Sequence, residues 1–220
     1  DPMPTLKELE AGIFFWAEPD ALATIRTLKS LGAQSGQLGL DGHAKLDAEP
    51  WRAALAAEDF HLWTVFAAYD GESYADIATV ERTVGFVPQA TRAAREIRTR
   101  QVIDFGAALG VKSFGCHVGC IPPSKAHPVY QPVLELVRRV ADYASSHGMT
   151  FCLETGQEPA EELLAFFEDA GRPNLRINFD PANMILYGSG EPIEAFRLLR
   201  KHVVSVHGKD GDWPDPAKPG

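Results

Sequence analysis

The feature that most constrains the fold is an alternation. Seven short apolar runs, rich in Val, Ile and Phe, are separated by longer stretches, several patterned as amphipathic helices. The runs are GIFFWA (12–17), GQLGL (36–40), LWTVFAAY (62–69), VKSFGCHV (111–118), TFCLE (150–154), LRINF (175–179) and VVSVH (203–207). Continuous apolar runs of this length predict strands buried on both faces. Strands that alternate with helices predict an α/β protein, with a parallel sheet covered by helices.

The intervening stretches support this. PDALATIRTLKSLG sets Leu22, Ile25, Leu28 and Leu31 on one side and stops at Gly32, a natural helix end. PVLELVRRVADYASSHG sets Val133, Val137, Val140, Ala141 and Ala144 on one stripe and stops at Gly148. EPAEELLAFFEDAG opens on acids and stops at Gly171, and EPIEAFRLLRKH runs from Glu191 to Arg200, Lys201 and His202. Both place charge favourably along the helix dipole. The piece from 72 to 90 is long for a strand–helix loop and reads as an active-site lid.

Two architectures match such alternation, an open doubly wound sheet and an eight-stranded (β/α)8 barrel. A nucleotide-binding open sheet needs G-x-G-x-x-G after the first strand. That position reads WAEPDA, without glycine, and GSG at 188–190 comes too late. The reading is therefore a single TIM-barrel domain over 1–220 with about seven βα units visible. Its eighth strand is expected beyond Gly220, where about 40–60 further residues would supply a helix and then an apolar strand ending in Glu.

Composition excludes several classes. The net charge of −9 disfavours a nucleic-acid surface, which needs clustered Lys and Arg. Cys116, Cys120 and Cys152 are an odd number in apolar surroundings, so a disulfide scaffold is not expected and a reducing cytoplasm is. No apolar run is long enough to cross a membrane, and the N-terminus lacks the basic and apolar regions of a signal peptide.

Three polar residues stand at the ends of consecutive predicted strands: Glu154 in FCLETG, Asp180 in INFDPAN and His207 in SVHGKD. They lie 26 and 27 positions apart, one βα unit each time. Neighbouring parallel strands are about 4.8 Å apart. The three side chains thus emerge together on the rim where barrel enzymes place their chemistry. Two carboxylates and an imidazole there can converge on one divalent cation. The other role open to Asp180, which precedes Pro181, is to cap the next helix.

LETGQEP, NFDPANMILYGSGEPIEAFRLL and SVHGKDGDW resemble the xylose isomerase-like TIM barrels, in particular the sugar phosphate isomerase/epimerase group. The likeness is strongest over 150–213, moderate over 100–150 and only architectural before that. It implies one divalent metal ion (Mn, Mg, Co or Zn) held by Glu154, Asp180, His207 and a final Glu from strand eight. It also implies that Glu154 exchanges a proton as catalytic acid and base, the final Glu being its partner. The substrate class implied is a small sugar or sugar phosphate. No nucleic-acid or membrane partner is expected, and barrels of this group often form homo-oligomers.

The chemistry is coherent. Isomerising or epimerising a ketose removes a proton from the carbon beside a carbonyl, and the enediolate formed carries charge on two neighbouring oxygens. A cation stabilises that charge and a carboxylate takes the proton.

Four further residues are candidates for substrate binding. His117, in CHVG, ends the fourth predicted strand, and its alternative is a core imidazole satisfied by the backbone. Glu158 follows Glu154 by four and can instead cap a helix. Lys209 shares a side with His207 if the strand continues, and can meet a substrate oxygen or phosphate. Trp16, at the first strand's end, can wall the pocket or pack in the core. A zinc site from Cys116, His117 and Cys120 lacks a fourth ligand. Rival functions are a degenerate sugar-binding barrel and an AP endonuclease-like nuclease. The latter needs a His where Asn183 stands, and a basic groove.

Overall fold

The computed structural model describes residues 10–213 of the chain. Seven parallel strands follow one another around a half-barrel: β1 (Ile13–Trp16), β2 (Ser35–Leu40), β3 (His61–Ala67), β4 (Ser113–Cys116), β5 (Thr150–Glu154), β6 (Leu175–Phe179) and β7 (Val203–Val206). Each pairs only with its sequence neighbours, so β1 and β7 are the two edges of the described sheet. The expected eighth strand and its glutamate lie outside the described residues.

The connections are helical. They comprise α1 (Ala21–Ser30), α2 (Ala48–Ala57), α3 (Ile77–Thr83), α4 (Arg92–Ala108), α5 (Tyr130–Ser146), α6 (Ala160–Ala170), α7 (Pro181–Tyr187) and α8 (Pro192–Leu199). Helix limits follow local chemistry. Asp20 caps α1 by accepting from the Ala23 N–H at 3.0 Å. Glu191 caps α8 through the N–H groups of Ile193 and Glu194. Gly171, in the left-handed region at φ +60°, ends α6. None of the helices is long and apolar enough to cross a membrane.

Strand periodicity sorts the side chains. Phe151 and Leu153 of β5, and Leu175, Ile177 and Phe179 of β6, pack outward against the helices in one continuous core. The alternate residues face inward. The α5 stripe of Val133, Val137, Val140, Ala141 and Ala144 is buried as its spacing requires.

Two expectations are corrected. Leu31 is 72% exposed, because α1 ends at Ser30 and Leu31 sits on the cap. The strand β7 is not buried on both faces. Val204 and Val206 are 56% and 54% exposed, since no described helix covers the outer face of this edge strand.

The stretch from 72 to 90 contains α3 and is stitched down at both ends. The Glu72 carboxylate accepts from the N–H groups of Tyr69 and Gly85 at 2.9 and 2.7 Å. The Thr83 hydroxyl bonds the backbone of Ser73. Arg95 is buried beneath, donating to the carbonyls of Gly85 and Asp70 and stacking on Tyr69.

Here two glycines let two loops touch. Gly85 has φ +68°, and a Cβ on it would stand 2.1 Å from the Val118 carbonyl carbon. Gly119, at φ +90°, meets the Val84 carbonyl in the same way. The Phe86 N–H to Val118 O bond, 2.7 Å, closes the contact one residue from His117. Gly85→Ala is expected to destabilise the fold by about 2 kcal/mol or more, through φ strain and the clash together. Urea titration checks this; a loss under about 0.5 kcal/mol would show that the loops can part without cost.

Candidate functional site

Parallel register carries the inward residues to one rim. Asn178 of β6 lies opposite Ser205 of β7, and Phe179 opposite Val206. Asp180 and His207 follow at the two strand ends, next to Glu154 at the end of β5. The nitrogen Nδ1 of His207 is 3.2 Å from both Glu154 Oε1 and Asp180 Oδ2. Among the described residues, these are the one group of three or more His, Cys, Asp or Glu whose ligand-capable atoms all lie within 4.8 Å of one another. Cys116, His117 and Cys120 form no such group, and all three cysteines are free thiols.

The two His207 spacings of 3.2 Å suit a small cation. Ligands at about 2.1 Å from a metal lie about 3.0–3.4 Å from each other in octahedral or tetrahedral arrangements. Two hard oxygens and one imidazole nitrogen are donors that Mn, Mg, Co and Zn accept.

Each donor is oriented by neighbours. Asp180 is fully buried and does cap α7, its Oδ1 accepting from the Asn183 N–H at 3.0 Å. Capping and clustering are therefore compatible, because the cap uses one oxygen and leaves Oδ2 to His207. Glu154 is nearly buried. Its Oε1 accepts from the Asn183 amide at 3.1 Å, and its Oε2 faces His117 Nε2 at 3.2 Å. The His117 Nδ1 is buried without a partner. A bare lone pair there costs less than an unbonded N–H, which places the proton of a neutral ring on Nε2, the side of Glu154. His207 turns its other nitrogen, Nε2, to Gln37 Oε1 at 3.1 Å and to Asn178 Nδ2 at 2.9 Å.

The electrostatics are strongly coupled. Burial disfavours the His207 charge, but hydrogen bonds to Asp180 and Glu154 outweigh it and hold the imidazolium up to about 9. Burial opposes the Asp180 charge too, yet His207 and Lys209 hold its carboxyl well below the usual range. Two carboxylates thus face an imidazolium and an ammonium.

The sequence candidates divide as follows. Glu154, Asp180, His207, His117 and Lys209 are brought together. Lys209 lines the cleft and is paired there: its Nζ lies 2.6 Å from Asp180 Oδ2 and 3.3 Å from Asn183 Oδ1. Trp16 is 47% exposed and lines the cleft, so it is a wall and not a core residue. Glu158 does not enter the cleft and does not cap α6, whose N-cap is Pro159. It is buried and accepts from the Ile121 N–H at 2.7 Å, tying two loops, and burial pushes its carboxyl up to about 7.

The cleft beside these residues has a volume of about 1310 Å³. Sequence reasoning missed several of its features. Phe14 packs edge-on against His207, Trp16 and Phe66, while Phe66 and Tyr74 approach His117, each pair 5.2–5.9 Å between ring centres. Aromatic faces of this kind suit the C–H surface of a sugar. The inward period of the strands could have flagged Phe14, Phe66, Gln37 and Asn178. Tyr74 is on a loop and carried no signal.

A parallel barrel whose strand ends gather acids and imidazoles is a definable class. The chain belongs to the xylose isomerase-like TIM barrel family, whose model matches residues 25–219. Among solved structures it is similar to a xylose isomerase domain protein from Planctomyces limnophilus, at 39% identity and a TM-score of 0.87, covering 93% of this chain and 73% of that one. It shares its fold with L-ribulose 3-epimerase (18% identity, TM-score 0.68, 90% of this chain and 69% of that). It also shares it with the 3-keto-D-glucoside 4-epimerase of E. coli (15%, 0.68, 90% and 78%). No curated protein matches the chain in sequence.

Proposed function

We propose that this protein is a divalent-metal-dependent isomerase or epimerase of a sugar or related hydroxy-ketone, working by proton transfer beside a carbonyl. The observation that carries the reading is the Glu154–Asp180–His207 cluster at the mouth of an aromatic-lined cleft. The names of the fold relatives, sugar epimerases acting at carbon 3 or 4, support the substrate class.

In this reading Glu154 Oε1, Asp180 Oδ2 and His207 Nδ1 hold the cation. When bound, it would stabilise negative charge developing on two neighbouring substrate oxygens. The rest falls to the chain's own groups. Glu154 takes the carbon-bound proton and returns it. His117, with Nε2 3.2 Å from Oε2, helps to orient that carboxylate. Phe14, Trp16, Phe66 and Tyr74 exclude water around the reacting carbon and seat the sugar ring. Asn183 uses its amide on Glu154 and Lys209, which supports one ion over a multinuclear site.

The test is isotope exchange. With Mn2+ and a panel of ketoses in D2O, deuterium should enter the carbon next to the carbonyl, and chelation should stop it. If Mn2+ does not bind, no ketose exchanges and Glu154→Ala changes nothing, the enzyme reading is wrong and a sugar-binding barrel replaces it.

A further inference from the structure

The imidazole of His207 has two neighbours on its far side that ask it for opposite tautomers. A cation shared with Glu154 Oε1 and Asp180 Oδ2 must be met by Nδ1, the nitrogen 3.2 Å from both oxygens. Nδ1 then presents a lone pair, and the single proton of the neutral ring belongs on Nε2. Gln37 Oε1, 3.1 Å away on β2, accepts from that N–H. Asn178 Nδ2, 2.9 Å away on β6, is a donor and suits an Nε2 lone pair, the tautomer that closes Nδ1 to a cation. In that pose the Ser205 hydroxyl donates to Asn178 Oδ1 at 2.7 Å.

We propose that Gln37 is a positioning residue that selects the cation-ready tautomer of His207, working against the Asn178–Ser205 pair. The role is not a packing role, because it depends on one acceptor atom. When Gln37 takes the Nε2 proton, Asn178 can turn its amide and offer Oδ1, and the Ser205 hydroxyl can reverse from donor to acceptor. The network then stays satisfied with a cation on Nδ1. Without Gln37, the acceptor that faces Nε2 in the observed arrangement is gone, and the Asn178 amide is the group left there. Outer partners of ligating histidines act in this way, and their loss typically weakens metal binding about 10- to 100-fold. This inference rests on the proposed reading of His207 as a cation ligand.

The experiment is Mn2+ binding by calorimetry to wild type, Gln37→Met and Gln37→Glu. Gln37→Met should bind about 10- to 100-fold more weakly. Gln37→Glu, which keeps an acceptor, should bind at least as tightly as wild type. In Mg2+-loaded, 15N-labelled protein, the His207 Nε2–H resonance should exchange slowly in wild type and Gln37→Glu and rapidly in Gln37→Met. Gln37→Met binding Mn2+ as tightly as wild type overturns the role, since the Gln37 amide nitrogen would then face the ring. Wild-type protein that takes no Mn2+ overturns the ligand reading itself. If Gln37→Met does not fold, Gln37→Glu binding tenfold more weakly than wild type overturns the role by itself.

Discussion

Glu154→Gln is expected to lower proton exchange from substrate carbon by about 100- to 10,000-fold, the span of a lost general base. The substitution keeps the shape. A carboxamide can still offer its oxygen to the Asn183 amide, now 3.1 Å from the carboxylate. What is lost is basicity and one of the two negative charges facing His207. Weaker cation binding therefore accompanies the catalytic loss, and the two must be separated. Exchange is measured at Mn2+ concentrations that saturate the variant, established by calorimetry. If activity then recovers to within about threefold of wild type, Glu154 is a ligand only and the base lies elsewhere.

Melting temperatures with and without cation should draw apart as pH rises. In chelator, His207 carries a proton held up to about 9 by Asp180 and Glu154, against about 6.5 in the unfolded chain. A raised folded pKa gives stability that is complete below about 6.5 and lost as pH rises through about 9. Metal-free protein should therefore melt lower at pH 8.5 than at pH 6.5. Bound cation needs Nδ1 unprotonated, so binding releases that proton and tightens over the same window. At 100 times its dissociation constant, Mn2+ adds about 2.7 kcal/mol, a rise of about 5–10 °C for a chain of this size. That rise should grow toward alkaline pH, and His207→Asn should remove both the metal-free slope and the growth. Parallel curves with and without Mn2+ would show that His207 is not a ligand.

Much of the site was legible because a barrel turns spacing into position. Residues one βα unit apart, each closing an apolar run, must share a rim whatever lies between them. That logic reached Glu154, Asp180 and His207 from residues alone. It also reached Trp16 and His117, the last residues of, or just past, their strands. It failed for Glu158, where a spacing of four after Glu154 suggested a helix cap. The β5–α6 loop instead turns the carboxylate inward to Ile121. Lys209 was expected to share a side with His207 if the strand continued; β7 ends at Val206, and Lys209 turns to Asp180 Oδ2, the oxygen that the helix cap leaves free.

Local pattern determined the class of element, the order of elements and the three principal site residues, because strand and helix periods and chain-order adjacency in a parallel sheet are short-range properties. Pairings between distant segments were decided by tertiary structure alone. Gln37 meets His207 from 170 residues away, Gly85 and Gly119 join two loops, and Phe14 and Tyr74 line one cleft. No periodicity encodes those contacts. The Gln37–His207 contact in particular follows from how far the sheet curves between β2 and β7, and that curvature is a sum over the strands between them.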